Sequence, residues 1–294
     1  MNRIMKLFVH SGVFHLDDVL CAVIFLLYFK DELTQVDRVR EIPKDMDPLD
    51  FAADVGGIYD PDKNLFDHHQ KGGADDGHAA CGKMWKKFGK QLCCGDQQIA
   101  DRVALTFLDS VNRADIGVAD WAPVREDWRH LSAGALIHSM NPAFGSDEEE
   151  YTKRFRLAVE AMEIALEGSI TTAQAFILGQ IIVKHADEAT PKVLVLSKPI
   201  PWQEHVHARQ DLNHVLYVIY PSERGGYCLQ AVPDKPGSFG MKKPLPKAWS
   251  GLRDSSLASV TGVEDAMFCH VGLFIGGAKS LEGTIRLAKM AVEA

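Results

Sequence analysis

The sequence lacks a basic surplus. Its 294 residues carry 32 lysines and arginines against 40 aspartates and glutamates, a formal net charge of −8. Proteins that grip nucleic acid over a broad face show the opposite sign. Any polyanion would therefore be met in a local cleft, with bound cations helping. Paired-cysteine spacing is also missing. Cys21, Cys81, Cys93, Cys94, Cys228 and Cys269 contain no C-x-x-C step, which excludes a zinc ribbon or a thioredoxin-like motif. Adjacent Cys93 and Cys94 suit no simple disulfide framework, so reduced thiols are expected. Long like-charge blocks, low-complexity tracts and internal repeats are absent. The apolar run from Val19 to Phe29 follows Asp17 and Asp18 and is too short to span a bilayer. Met1 to His10 holds Arg3 and Lys6 without a long apolar stretch before a cleavage site. The expectation is a cytoplasmic chain with no membrane partner. Nothing fixes its assembly, and a homo-oligomer is left open.

Hydrophobic residues make up 46% and charged residues 24%, the composition of an ordinary globular protein with length enough for two domains. Lys6–His10 reads as a short apolar strand running through the turn Ser11–Phe14 into a buried helix, half of a parallel α/β unit. Val36–Ile42 and Phe51–Val55 read as further strands, and 79–88 and 97–112 as helices. Phe155, Ala158, Val159, Met162 and Leu166 recur at three- and four-residue steps, one helix face, and 172–185 reads as another helix. After Pro191 the pattern changes. Val193–Leu196 is strand-like, Val215–Tyr220 and Tyr227–Val232 form a hairpin, and Met267–Val271 is a strand. A final helix carries Leu281, Ile285, Ala288 and Val292. The fold class expected is α/β: a parallel-sheet N-terminal domain with a helical appendage over 1–190, and a smaller α+β domain over 191–294.

Four segments place histidine or aspartate at the end of an expected strand or helix: His10-Ser-Gly-Val-Phe-His15-Leu-Asp17-Asp18, Asp54 before Gly56-Gly57, Asp67-His68-His69, and Asp115. In open α/β sheets the carboxyl ends of the strands form the ligand crevice. Singly, each residue has an ordinary explanation: Asp17 or Asp18 as a helix cap, Asp67 closing a turn, Asp115 in a loop. Together they offer mixed imidazole and carboxylate ligands, which suit first-row divalent ions better than calcium or magnesium. Two such ions ~3.5–4 Å apart can share a hydroxide and hold a phosphoryl oxygen. Asp54 is the candidate to bridge them.

With HSGVFHLDD at 10–18, DVGGIYDPDKNLFDHHQ at 54–70, LSAGALIHSMNP at 131–142, PWQEH at 201–205 and CHVGLFIGGAKSLEGT at 269–284, the sequence resembles the DHH phosphoesterase superfamily. Within it, the chain is most similar to the branch of the Myg-type exonucleases. The resemblance implies a DHH-type catalytic domain, two divalent ions of the manganese type, and hydrolysis of RNA or a short oligonucleotide from the 3′ end. It implies that His10 and His15 hold one ion, that Asp17, His68 and Asp115 hold the other, and that Asp54 lies between them. Asp54, His68 and His69 would be catalytic, His69 facing the substrate phosphate or the attacking water. Near Asp115 the chain departs from the branch pattern, with Asn112 and Ile116 where that pattern has Asp and Asn.

The resemblance also implies a glycine-rich turn facing the metals, here Gly276-Gly277-Ala278-Lys279-Ser280. Glycine amides and a helix N-terminus favour an anion, so Gly276, Gly277, Lys279 and Ser280, with His270 before them, are candidate phosphate contacts. Two other readings stand beside the exonuclease: a small-molecule phosphatase or pyrophosphatase, and a catalytically silent binding protein.

Overall fold

The computed structural model describes residues 3–118, 127 and 131–294. The chain divides into two compact units, Met1–Gln174 and Ala175–Ala294.

In the first unit, β1 (Met5–His10) leads into α1 (Leu16–Tyr28), followed by β2 (Thr34–Val39), β3 (Phe51–Ala53), β4 (Tyr59–Asp60) and β5 (Leu65–Phe66). They form a five-stranded sheet in the order β2-β1-β3-β5-β4. β2, β1, β3 and β5 are parallel, and β4 alone runs antiparallel. The central strands β1, β3 and β5 are apolar because both faces are covered. Leu7, Val9, Ala52, Ala53 and Phe66 are all inaccessible to solvent. α1 is buried from Leu16 through Phe25, as its all-round apolar sequence requires. Phe25, Phe51, Phe66 and Phe88 form a continuous aromatic cluster, with ring separations from 5.4 to 6.0 Å. Burying each such ring contributes about 1.5–3 kcal/mol.

α2 (Ala80–Leu92) packs on α1. α3 (Gln97–Val103), a π-helical stretch (Ala104–Leu108) and α4 (Asp109–Asp115) then run on from one another. The expected helix therefore continues past Asn112 and carries Asp115 in its last turn. α5 (Ala133–Ser139) is short, and α6 (Glu148–Lys184) spans 37 residues. The expected break before residue 172 does not occur, because Gly168, Thr171 and Thr172 are absorbed into the helix. Thr171 and Thr172 return their hydroxyls to the carbonyls of Glu167 and Gly168. The division at 174/175 thus falls inside α6, earlier than the boundary expected near 190. Beyond it, Val183 joins the core of the second unit. Among the described residues α6 is the one helix long and apolar enough, by length and composition, to cross a membrane.

The second unit holds β6 (Asp187–Thr190), β7 (Val193–Val195), α7 (Gln203–Ala208), β8 (Tyr217–Pro221), β9 (Tyr227–Ala231), α8 (Asp254–Thr261), β10 (Ala266–Cys269), β11 (Ile275–Ala278) and α9 (Leu281–Glu293). Its six strands are ordered β10-β11-β9-β8-β7-β6. Only the β7–β8 pair is parallel. β6 is polar and sits at the sheet edge, so hydrophobic pattern gave no sign of it.

The six cysteines are free thiols. Trp249, beside basic residues in the sequence, is buried in the core of this unit.

Candidate metal centre

Register builds the site. Phe8 pairs with Ala52, and Ala53 pairs with Phe66. His10, the last residue of β1, and Asp54 and Asp67-His68-His69, just past β3 and β5, therefore line up along the carboxyl edge of these strands. Asp54 adopts a left-handed backbone, φ +55°. Such a conformation is uncommon for a side-chain-bearing residue and recurs at functional sites. It turns the Asp54 carboxylate back over the strand ends while Gly56 and Gly57 carry the chain away at positive φ.

The opening of α1 supplies the next ligands. His15 is the extended residue before the helix, and Asp18 accepts its backbone N–H at 2.7 Å, a reach-back typical of helix starts. Asp17, one residue earlier, reaches α2. Its two oxygens accept the backbone N–H groups of Ala80 and Cys81, at 3.0 and 2.8 Å. Asp17 is thereby the cap of α2, whose own N-cap residue, Ala79, has no polar side chain to offer. Asn112 completes that cap by accepting the Ala79 N–H at 3.1 Å. The departure at 112 thus has a structural role of its own.

Three groups of ligand atoms result, each gathered within 4.8 Å: His10, His15 and Asp18; Asp17, His68 and Asp115; and Asp54, Asp67, His68 and His69. His68 Nε2 lies 3.0 Å from Asp115 Oδ2, and its Nδ1 lies 3.8 Å from Asp17 Oδ2 and 3.7 Å from Asp54 Oδ1. His10 Nε2 is 3.4 Å from both Asp18 Oδ2 and Asp54 Oδ2. Asp54 therefore turns one oxygen to His10 and the other towards His68 and His69.

Burial and crowding set the charges. Burial alone would depress the His10 pKa, but the Asp54 hydrogen bond and the Asp18 and Asp54 charges outweigh it and carry it to about 9. Burial pushes the Asp18 carboxyl up to about 7 despite His10 beside it. Burial, with the charges of Asp54 and Asp115, holds Asp17 well above the usual carboxylate range. Asp18 Oδ2, Asp54 Oδ1 and His68 Nδ1 are buried without a hydrogen-bond partner. Buried polar atoms are rarely left so. Orphaned nitrogen and oxygen atoms among crowded carboxylates fit a divalent cation of the first transition row.

His69 differs. Its Nδ1 is 2.8 Å from Asp67 Oδ1, and its side chain is 61% exposed. Asp67 is buried, which would raise its pKa, but the amides of Gly57, His69 and His68 and the His69 ring hold it below the ordinary value. The pair thus fixes Nδ1–H on Asp67 and leaves His69 Nε2 facing outward.

Asp18 and Asp67 stand in the ligand-bearing segments of the sequence but not among its six expected ligands, and both also fill their ordinary roles, accepting the amides of His15 and of His68 and His69. Both face the cluster. The His15-x-x-Asp18 spacing was the available signal for the first.

The candidates in the second unit are arranged otherwise than expected. Gly276 and Gly277 lie inside β11, paired to β10 and β9, not in a turn. A Cβ at Gly277 would lie 2.2 Å from the Tyr227 carbonyl oxygen, so close strand packing accounts for the absent side chain. The helix start is also engaged. Ser280 caps α9 by accepting the Gly283 N–H at 3.0 Å, and its own N–H and hydroxyl donate to Asp265 at 2.8 and 2.6 Å. Asp265 occupies the position expected for an anion. Lys279 is exposed, and His270 Nδ1 accepts the Gly272 N–H at 2.9 Å.

An α/β sheet that gathers imidazoles and carboxylates at the ends of its parallel strands defines a protein able to hold metal ions. Over residues 6–292 the chain matches the model of the MYG1_exonuc family, described as an uncharacterised protein family (UPF0160), and it belongs to that family. It is 27% identical to the mouse MYG1 exonuclease over 95% of this chain and 83% of that protein. It is also 27% identical to the human MYG1 exonuclease, over 95% and 84%. With a MYG1 protein of Schizosaccharomyces pombe it shares 28% identity over 100% of this chain and 99% of that protein. No solved structure matches the chain significantly.

Proposed function

We propose that the chain is a DHH-type metal-dependent phosphoesterase that shortens RNA from the 3′ end by two-metal hydrolysis. The observation that carries this reading is Asp54, whose two oxygens face different imidazoles, as a carboxylate bridging two cations must. The relatives named exonucleases support a nucleic-acid substrate. Divalent ions held there, manganese in this reading, would lower the pKa of a bound water and offset charge on the phosphoryl oxygens.

The chain's own residues do the rest. His10, His15 and Asp18 face one ion position, and Asp17, His68 and Asp115 the other. Asp54, with one oxygen towards His10 and the other towards His68, would hold both. Water attacks phosphorus, the bond to the leaving 3′ oxygen breaks, and that oxygen takes a proton. His69 is the group placed to deliver it as the imidazolium, with Nδ1–H donated to Asp67 and Nε2–H exposed; the water's own proton leaves to solvent, which restores the ring. Such general acid catalysis contributes typically ~10²–10⁴-fold. In the second unit, Lys279 and His270 are the candidates for a phosphate contact.

The test is incubation of the manganese-loaded chain with 5′-labelled RNA, 5′-labelled DNA and pyrophosphate. A ladder of RNA shortening from the 3′ end is expected. Phosphate release from pyrophosphate with RNA left intact would replace this reading with a small-molecule phosphatase, which the −8 net charge would suit.

A further inference from the structure

The turn Ser11-Gly12-Val13-Phe14 joins the two imidazoles of the first ligand group, whose ring centres are 5.7 Å apart. Four residues with Gly12 at φ +84° have no local reason to hold one shape. Their backbone groups are instead held from outside the turn. The Ser11 N–H donates to the Val39 carbonyl at 2.8 Å. The Gly12 N–H donates to Glu148 at 3.3 Å, and the Gly12 carbonyl accepts Arg38 Nη2. Asn141 then takes both sides of Phe14. Its Oδ1 accepts the Phe14 N–H at 2.9 Å, and its Nδ2 donates to the Phe14 carbonyl at 2.9 Å and to the His138 carbonyl at 3.1 Å.

The second holder is itself fixed. Arg38 has a side chain only 1% exposed, pairs with Glu148 at 3.0 Å, and lies against the rings of Phe14 and Phe155, 5.7 and 5.0 Å from their centres. None of Arg38, Asn141 or Glu148 belongs to the ligand groups. All three converge on the one segment whose shape sets the distance between His10 and His15.

We propose that Asn141, supported by the Arg38–Glu148 pair, is a positioning residue that preorganises His10 and His15 and so sets the cation affinity of their group. This rests on reading that group as a metal site. An amide is required at 141 because the Phe14 peptide units need an acceptor and a donor together. A carboxylate there would face the Phe14 carbonyl. Holding ligands in place before binding removes the cost of ordering them on binding, and loss of such outer partners typically weakens metal affinity ~10–100-fold.

The experiment titrates metal-free full-length chain with Mn²⁺, reading the free ion by paramagnetic resonance, and measures amide hydrogen exchange over residues 11–15 without metal. In Asn141→Ala one class of Mn²⁺ sites should weaken ~10–100-fold, the other should stay within twofold, and exchange over 11–15 should quicken. Asn141→Asp, keeping the acceptor alone, should fall between. Glu148→Gln, at an exposed position, provides the same test should Asn141→Ala fold poorly, with a smaller selective loss expected. Unchanged affinities in a folded variant, or equal weakening of both classes, would overturn the proposal. A wild-type chain that binds no Mn²⁺ would instead overturn the metal-centre reading. That outcome is separable, because amide exchange still reports whether Asn141 holds the turn.

Discussion

Asp17 of α1 accepts the backbone N–H of Cys81, in the first turn of α2, at 2.8 Å. One carboxylate thus serves both as a candidate metal ligand and as the cap of a neighbouring helix. Asp115, in the same ligand group, has no such second task in the described contacts. Replacing each by alanine should therefore separate stability from metal binding. Asp17→Ala leaves two buried amides unpaired and should lower metal-free stability by about 1–3 kcal/mol. Asp115→Ala gives up one contact, to the His68 ring at 3.0 Å, and should cost less, about 1 kcal/mol or below. Both should lose the second ion. Urea unfolding in a chelator, beside metal titration, checks both arms.

Stability of the metal-free chain should fall as pH rises. A buried carboxyl whose folded pKa, about 7 for Asp18, lies above the unfolded value binds a proton preferentially in the folded state. Stability is then lost as the carboxyl ionises between roughly pH 4 and 7. His10, raised to about 9, contributes stability that is complete below about pH 6.5 and is lost as pH climbs through 9. Cations reverse the logic, since they bind the deprotonated ligands. Melting temperature should drop from pH 6 to 9 without metal and should hold or rise with manganese. Calorimetry in buffers of different ionisation enthalpy should show protons released on binding.

The Asp67–His69 pair gives a sharper kinetic test. Asp67→Asn retains size but ends the charge that fixes His69. The rate should fall about 10²-fold or more, while two ions remain bound, because His69 Nε2 and not the ion positions is disturbed. Loss of metal in this variant would show that Asp67 serves as a ligand instead.

Much of the first unit was legible because its signals are local. The strand-turn-helix from Met5 to Tyr28 shows in the apolar run and the acidic helix start, and ligand-bearing residues stand at or just past the ends of short apolar strands. What escaped depends on distant partners. Asn141 has meaning only through Phe14, and Asn112 only through the N-terminus of α2. Gly276 and Gly277 resemble a phosphate loop in sequence, yet their lack of side chains is explained by the Phe268 and Tyr227 carbonyls of the flanking strands. β6 carries no hydrophobic alternation. α6 runs through glycine and threonines because Thr171 and Thr172 return their hydroxyls to helix carbonyls and one glycine disfavours a helix by only roughly 1 kcal/mol.

The most direct check of the central claim is anomalous scattering from crystals of the chain grown or soaked with manganese. Two peaks about 3.5–4 Å apart should lie at the strand ends, one beside His10, His15 and Asp18, the other beside Asp17, His68 and Asp115, with an oxygen of Asp54 on each. Density confined to other residues, or none at saturating manganese, would contradict a two-metal centre in this fold.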